Sequence, residues 1–507
     1  MAESGQLVDT YKVISDGISA DVKIIRTPAE FVLIYNIALP NIDAATAAIL
    51  REIRMELIRE VPDKIQQLSE NLNQSLKLQF LDIVTSKLKQ LLPNMEDVAY
   101  INLSATLLHE MFGLGELEVL DADVNLEEIV VNNSKTNVFV YHRKHGWLLT
   151  NLRVESENKI AAYSEQIARR VGRQINNLAP LLDAQLPSGD RVNATLYPIS
   201  MHGNTLDLRK FRAEPWTVVD MMNLGTLSID LVAYLWQAMQ YELSIIMTGG
   251  TASGKTSLLN VMLPFIPPNQ RIITIEDTSE LVLPNFLHWV PMITRQPNSE
   301  GKGKVDMLDL LLNSLRMRPD RLVVGEIRHK EEAETLFEAL MTGHSVYATL
   351  HAETAQQVIK RLLSEPINLP EIEVSAMDLI VTAFRQRRLG IRRVLELAEV
   401  ADTMVAGKAE VKTVNLFEWR PRTDKLERTI NASIKLRNKL ELYSGMTSEE
   451  IDQDLIEKAK VLKWMTENNV SNVNRIGYIA SLYYSYKDEL MNVVNKNGST
   501  AELNLPQ

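Results

Sequence analysis

The sequence predicts an α/β core, preceded by an α+β domain and a mixed, largely helical N-terminal unit, and followed by a helical tail. Three observations lead there. From residue 226 to about 400, apolar helical stretches alternate with short apolar runs, as expected for strands buried between helices. Between about 117 and 225, short strand-like segments stand among Gly and Pro punctuation. Residues 43–92 and 447–486 show mainly helical periodicity. The expected domains are therefore 1–116, 117–225, 226–425 and 426–507.

In chain order, Val22 and Ile24, then Phe31, Leu33 and Tyr35, alternate as in short strands or a hairpin. From Asp43, the residues Ile49, Ile53, Leu57 and Ile58 share a helical face that Pro62 stops, and a second periodicity runs from Ile65 to Leu92. Strands are expected at Glu128 to Val131 and Val138 to Tyr141, ahead of a turn at Gly146. A helix is expected from Ala161 to Val171, with further strand-like residues at Leu196 and Leu206 to Leu208. In the tail, Thr447 and Glu450 have capping-box spacing, and Ile451, Leu455, Ala459 and Leu462 make one stripe. The aromatic segment Tyr478, Leu482, Tyr483, Tyr486 before the Asn497-Gly498 breaker reads as core packing ahead of the alternative, an aromatic partner-binding face. The sequence contains no internal repeat and no low-complexity tract.

The 507 residues carry 54 Lys+Arg against 65 Asp+Glu, a net charge of −11 that argues against broad, non-specific nucleic-acid binding. With 45% hydrophobic and 23% charged residues, the composition is that of ordinary globular protein. There is no cysteine, which excludes disulfides, thiolate catalysis and Cys-ligated metal sites. The first residues have neither a basic nor an apolar targeting region, and no run approaches the ~18 apolar residues of a membrane span. A cytoplasmic chain with peripheral membrane contact is expected.

The chemistry concentrates in residues 226–425. Gly249-Gly250-Thr251-Ala252-Ser253-Gly254-Lys255-Thr256 fits G-x-x-x-x-G-K-[ST] between the strand-like Leu243 to Met247 and the helical Ser257 to Leu263. Glycines let backbone N–H groups wrap phosphate at a helix N-terminus, Lys255 reaches the β and γ phosphates, and Thr256 can hold Mg²⁺. Three further strand-like runs deliver polar residues at their carboxyl ends: Glu276-Asp277, Gly325-Glu326 and His351. In open parallel sheets ligands sit beyond those ends, so the groups should converge on the P-loop. Glu326 and Glu276 are candidates to support Mg²⁺ or to orient the attacking water. Asp277 and Glu280 read equally well as turn or capping carboxylates. His351 is a candidate phosphate sensor or link to a neighbouring subunit, and His344 sits at a helix end. The basic run Arg385, Arg387, Arg388, Arg392, Arg393 reads as a solvated helix or subunit-facing surface rather than a nucleic-acid site.

Gly249 to Thr256, Ile275-Glu-Asp-Thr-Ser-Glu280, Arg318-Pro-Asp-Arg-Leu-Val-Val-Gly-Glu-Ile-Arg328 and Thr342-Gly-His-Ser-Val-Tyr-Ala-Thr-Leu-His351 resemble the Walker A, Asp box, Walker B and His box of the type II/type IV secretion ATPase superfamily. Upstream, Pro180 to Arg191 and Leu206-Asp-Leu-Arg209-Lys-Phe are similar to that superfamily's second N-terminal domain. The likeness covers roughly 117 to 400. It is closest to the archaeal archaellum and type IV pilus motors, judged by Tyr141-His-Arg-Lys-His-Gly146 to Asn151 and the helical tail. Bacterial pilus and type II members usually carry a four-cysteine zinc subdomain, which this chain lacks. The first 110 residues match no specific motif.

The resemblance implies a RecA-like P-loop core that hydrolyses ATP with Mg²⁺, held by Thr256 and Glu276, in a homo-hexameric ring. Glu326, Glu276 and His351 would serve the chemistry, with Arg191 and Arg209 presented to phosphate by the preceding domain. A polytopic membrane platform protein would convert domain motion into handling of pilin-like filament subunits. Two other classes stay open: a nucleotide-gated binding switch, and a DNA-translocating or conjugation-type traffic ATPase. Guanine specificity is disfavoured, because Asn438-Lys-Leu-Glu441 lacks the final Asp of Asn-Lys-x-Asp.

Overall fold

The computed structural model describes residues 5–28, 30–60, 74–211, 215–297, 301–386, 388–405 and 408–503, and the chain divides into two compact units, 1–212 and 213–507.

Unit one holds a nine-stranded sheet of β1 (Gln6–Ser15), β2 (Ile18–Arg26), β3 (Leu33–Ala38), β4 (Leu126–Val131), β5 (Phe139–His142), β6 (Gly146–Thr150), β7 (Leu181–Gln185), β8 (Arg191–Thr195) and β9 (Thr205–Arg209), in the order β1-β2-β3-β6-β5-β4-β9-β8-β7. Asp16 and Gly17, both at positive φ, turn β1 into β2 as a tight hairpin requires. β3 then pairs in parallel with β6, Leu33 opposite Leu148.

The expected boundary between 116 and 117 is therefore not a structural divide. Along β2, Ile18, Ala20, Val22 and Ile24 are buried on one face, and Val22 and Ile24 share a core with Ile129, Val140 and Leu148. A three-stranded ribbon with one apolar face needs such a partner to keep that face dry. The helices Ala44–Glu60, Gln74–Leu91 and Asp97–Phe112 have a cluster of their own around Ile53, Leu57, Phe80, Val84 and Leu107. Ile58, expected on the buried face, is exposed. Pro62 and Ile65 lie outside the described residues. Asp16 ties this bundle to the hairpin, with Lys77 Nζ and His109 Nε2 each 3.0 Å from its Oδ2. The helix expected from Ala161 to Val171 spans Glu157–Arg170 and is capped by Ser156.

Unit two holds β10 (Ile245–Gly249), β11 (Ile272–Glu276), β12 (Trp289–Ile293), β13 (Arg321–Val324), β14 (Ser345–Leu350), β15 (Leu379–Gln386), β16 (Ile391–Val405), β17 (Lys408–Arg420) and β18 (Lys425–Arg428), in the order β12-β11-β13-β14-β10-β15-β16-β17-β18. β10 to β15 run parallel, and β15 to β18 continue antiparallel. Every residue of β10, β11, β13 and β14 is buried, which is why these strands read as mainly apolar runs. Their carboxyl ends face one edge of the sheet.

The basic run is not helical. Arg385 lies on β15, Arg392 and Arg393 lie on β16, and Arg388 lies in the turn between them. Gly390, at φ +68, helps reverse the chain there. Arg387 is outside the described residues. Nor does the tail stand apart from 426 onward. β18 closes the sheet first, and the helices Lys435–Ser444, Ser448–Glu467, Val473–Ser485 and Lys487–Asn495 follow. Leu440, Ile451, Leu462, Ile479 and Tyr483 join one core with Leu231, Leu235 and Met247. The capping box forms, Glu450 Oε2 accepting the Thr447 N–H at 2.7 Å. Trp236 of the helix Ile229–Gln240 donates to the Tyr484 hydroxyl at 2.6 Å, which donates to the Phe265 carbonyl at 2.5 Å. Buried Lys458 pairs with Asp454, whose carboxylate also accepts from Gln237 and Tyr483, each at 2.8 Å. Among the described residues no helix is long and apolar enough to cross a membrane.

Candidate nucleotide site

β10 ends at Gly249 and the helix Lys255–Met262 begins within the same motif. A Cβ on Gly249, at φ +150, would lie 2.3 Å from the Ala383 carbonyl oxygen of β15, so only glycine fits between strand and loop. Gly254, at φ +94, caps the helix in the left-handed region and turns the first helical N–H groups toward the loop. Ser253 Oγ is buried inside this cradle with no hydrogen-bond partner, a polar atom that a bound phosphate oxygen would satisfy.

Thr248 fastens the loop to its neighbour strand. Its hydroxyl lies 2.9 and 2.8 Å from the carbonyls of Leu350 and Ala352 and accepts the Ala352 N–H at 3.0 Å. That contact brings His351 over the P-loop, where its Nδ1 is 3.3 Å from Lys255 Nζ. An ammonium can only donate, so Nδ1 accepts and the ring proton belongs on Nε2. Burial pulls the Lys255 pKa down, while Glu326 and Glu280 pull it back up.

The carboxylates differ in their surroundings. Glu276, the last residue of β11, is 3% exposed, and its Oε1 accepts the N–H groups of Glu280 at 3.0 Å and Leu281 at 3.1 Å. Burial pushes its carboxyl up to about 7, against the pull of those two bonds. Glu326 follows β13 on a turn held by Thr349, whose hydroxyl donates to the Gly325 carbonyl at 2.5 Å. Glu326 Oε2 accepts from Arg328 Nη2 at 2.7 Å and Nε at 2.9 Å. The same guanidinium donates from Nη1 to Asp277 Oδ2 at 2.6 Å.

Glu276 has a consequence for stability. Between pH 4.5, its ordinary value, and about 7, the folded chain holds a proton that the unfolded chain releases, so stability falls as pH rises through that window. Glu276→Gln keeps an oxygen for the two N–H bonds. It is expected to remove about 1–2 kcal/mol of this decline, measured by denaturant unfolding of the nucleotide-free protein at pH 5 and pH 7.

The structure thus brings Gly249 to Thr256, Glu276, Glu326 and His351 to the carboxyl edge of one parallel sheet. Arg191 and Arg209 belong to unit one, directly opposite each other on β8 and β9, with Arg191 Nε 3.5 Å from Asp183. His344 caps its own helix, Nδ1 lying 3.1 Å from the Ala339 carbonyl. Sequence reading assigned no role to Thr248, to Arg328, or singly to Arg392, whose Nε reaches the Ala252 carbonyl of the P-loop at 3.3 Å. Arg328 was visible as a charge after a strand-like run and Arg392 as one of a basic run, but only the fold shows which partner each takes.

The family profile "Type II/IV secretion system protein" matches residues 118–432, more than half of the chain. This chain belongs to the type II/IV secretion system protein family. An uncharacterized protein of Methanocaldococcus jannaschii is 35% identical over 75% of this chain and 69% of its own length. A putative conjugal transfer protein of Mycobacterium tuberculosis is 33% identical over 50% of this chain and 73% of its own length. Among solved structures, the VirB11 ATPase of the Brucella suis type IV secretion system, in complex with sulphate, is 26% identical, covers 54% of this chain and 89% of its own, and superposes with a TM-score of 0.29. Within this secretion family member, the profile spans β4 to β18, and so includes all the candidate residues, while the first three strands and the helical bundle of unit one precede it.

Proposed function

We propose that this chain is a Mg²⁺-dependent ATP hydrolase that works as the motor of a pilus, archaellum or type II secretion-like machine. The observation that carries the reading is the contact of Lys255 with His351 across a P-loop flanked by the strand ends that bear Glu276 and Glu326. Loop N–H groups and Lys255 would bind the phosphates, and Glu326 would orient the attacking water and take its proton. Thr256 and Glu276 offer the hydroxyl and carboxylate oxygens that suit a hard cation. No cluster of three or more His, Asp or Glu side chains stands ready for a metal among the described residues, so nucleotide phosphates and water would complete the shell. Held by Thr256 and Glu276, Mg²⁺ would supply positive charge to offset that of the nucleotide phosphates. His351, hydrogen-bonded to the lysine that meets the phosphates, would report whether they are present.

Arg191 and Arg209 are proposed to complete the site from unit one. A guanidinium offers a planar fork to phosphate oxygens, and loss of the γ phosphate would release it. Either Arg191→Ala or Arg209→Ala is expected to cut turnover at saturating ATP by at least about tenfold while folding and assembly persist. Unchanged turnover in both would confine the active site to residues 249–351. The motor is proposed to act as a homo-hexamer at the inner face of the cell membrane, against a polytopic platform protein, with pilin-like subunits as the indirect load.

A conjugation-type traffic ATPase is the second reading, favoured by the conjugal-transfer relative. Turnover by the purified protein, with and without anionic lipid and with duplex DNA, alongside its mass in solution, separates the two. Mg²⁺-dependent hydrolysis by a six-copy particle that responds to lipid supports the filament motor. Stimulation by DNA that fades with salt supports the other.

A further inference from the structure

Arg328 stands one residue beyond the Glu326-Ile327 pair, where the chain turns from β13 into the helix Lys330–Met341. Its backbone is fixed, because the N–H groups of Arg328 and His329 both donate to Glu332 Oε2, at 3.0 and 3.1 Å. From that base the guanidinium reaches two carboxylates on different strand ends. Nε and Nη2 close on a single oxygen of Glu326, Oε2, and Nη1 takes Asp277 Oδ2. Asp277 is steadied in turn by the Thr294 hydroxyl, 3.2 Å from its Oδ1.

Half-exposed ion pairs of this kind add little to stability, so fold maintenance is a poor account of three bonds from one side chain. Geometry supplies a better one. With Oε2 chelated by a rigid fork, the Glu326 carboxylate keeps one orientation and leaves Oε1 to accept a proton. A base oriented by a third group is the general arrangement of activated nucleophiles. The bridge to Asp277 also makes the ends of β11 and β13 one piece.

We propose that Arg328 is a positioning residue for hydrolysis: it orients the Glu326 carboxylate toward the attacking water and couples it to the Asp277 turn. The inference rests on the reading of Glu326 as the water-orienting carboxylate. A lysine supplies charge without the two-donor fork, so it should restore only part of the effect.

The test is steady-state ATP turnover by the full-length chain, with Arg328→Gln and Arg328→Lys made singly and Arg328→Gln also combined with Glu326→Gln. Arg328→Gln is expected to lower kcat about tenfold with KM for ATP changed less than about twofold, and Arg328→Lys to fall in between. Adding Arg328→Gln to Glu326→Gln should cost almost nothing more, because the group it orients is already gone. Wild-type or faster turnover by Arg328→Gln would overturn the proposal, as would losses that simply multiply in the double variant. If Glu326→Gln alone turns over normally, the carboxylate reading itself falls. If Glu326→Gln is slow and Arg328→Gln is not, only the role of Arg328 is lost.

Discussion

Lys255→Ala is expected to lower ATP turnover by about 10²–10³-fold, the range seen when one preorganised donor is taken from a developing oxyanion. The ammonium is half-buried, so the charge it presents to phosphate acts at low screening, and alanine puts nothing in its place. Its loss also leaves His351 Nδ1 without the donor 3.3 Å away, removing one of the side-chain contacts between the loop and the end of β14. Thr248 still ties the two strands together, so the fold should survive. Phosphate release at saturating ATP, measured beside thermal unfolding, checks both halves. Near-normal turnover would take the active site away from Gly249 to Thr256.

Glu326→Gln is expected to bind ATP and hydrolyse it about 10²–10³-fold more slowly, because an amide keeps the shape of the carboxylate and loses the charge that accepts the water's proton. The Arg328 guanidinium retains Asp277 as a partner, so the turn need not collapse. Fluorescent-nucleotide binding measured with phosphate release makes the outcome decisive. Should binding vanish together with hydrolysis, Glu326 holds Mg²⁺ or the turn, and Glu276 becomes the residue to test for the water.

The P-loop and the strands around it were legible because a buried parallel sheet leaves little choice. Strands covered on both faces read as apolar runs, and their polar residues gather at the ends, as Glu276, Glu326 and His351 do. Two things were not legible. Pairing between distant segments has no local mark, so nothing in Leu33 to Tyr35 announced that β3 would lie beside β6, 115 residues on in every register pair, as Ile34 with Leu149. The tail helices showed their apolar stripe but not its partner, and Leu462 looks the same whether it packs in a separate tail or against the core of unit two. In the basic run, charge spacing suggested a surface, while the register of Arg385 with Arg392 shows a hairpin whose tip stands at the carboxyl edge of the sheet. Arg191 and Arg209 were singled out by resemblance, and the structure adds that they face each other across β8 and β9.

Trp236 is wholly buried, and one wall of its pocket is Tyr484, a hydrogen-bond partner 248 residues later in the chain. A ribosome adding roughly 5–20 residues per second needs on the order of ten to fifty seconds to cover that distance. The P-loop strand and its helix are complete early in that interval, while the indole and the apolar face around it still lack Tyr484. The nascent second unit thus carries an uncovered apolar face until its last helices arrive.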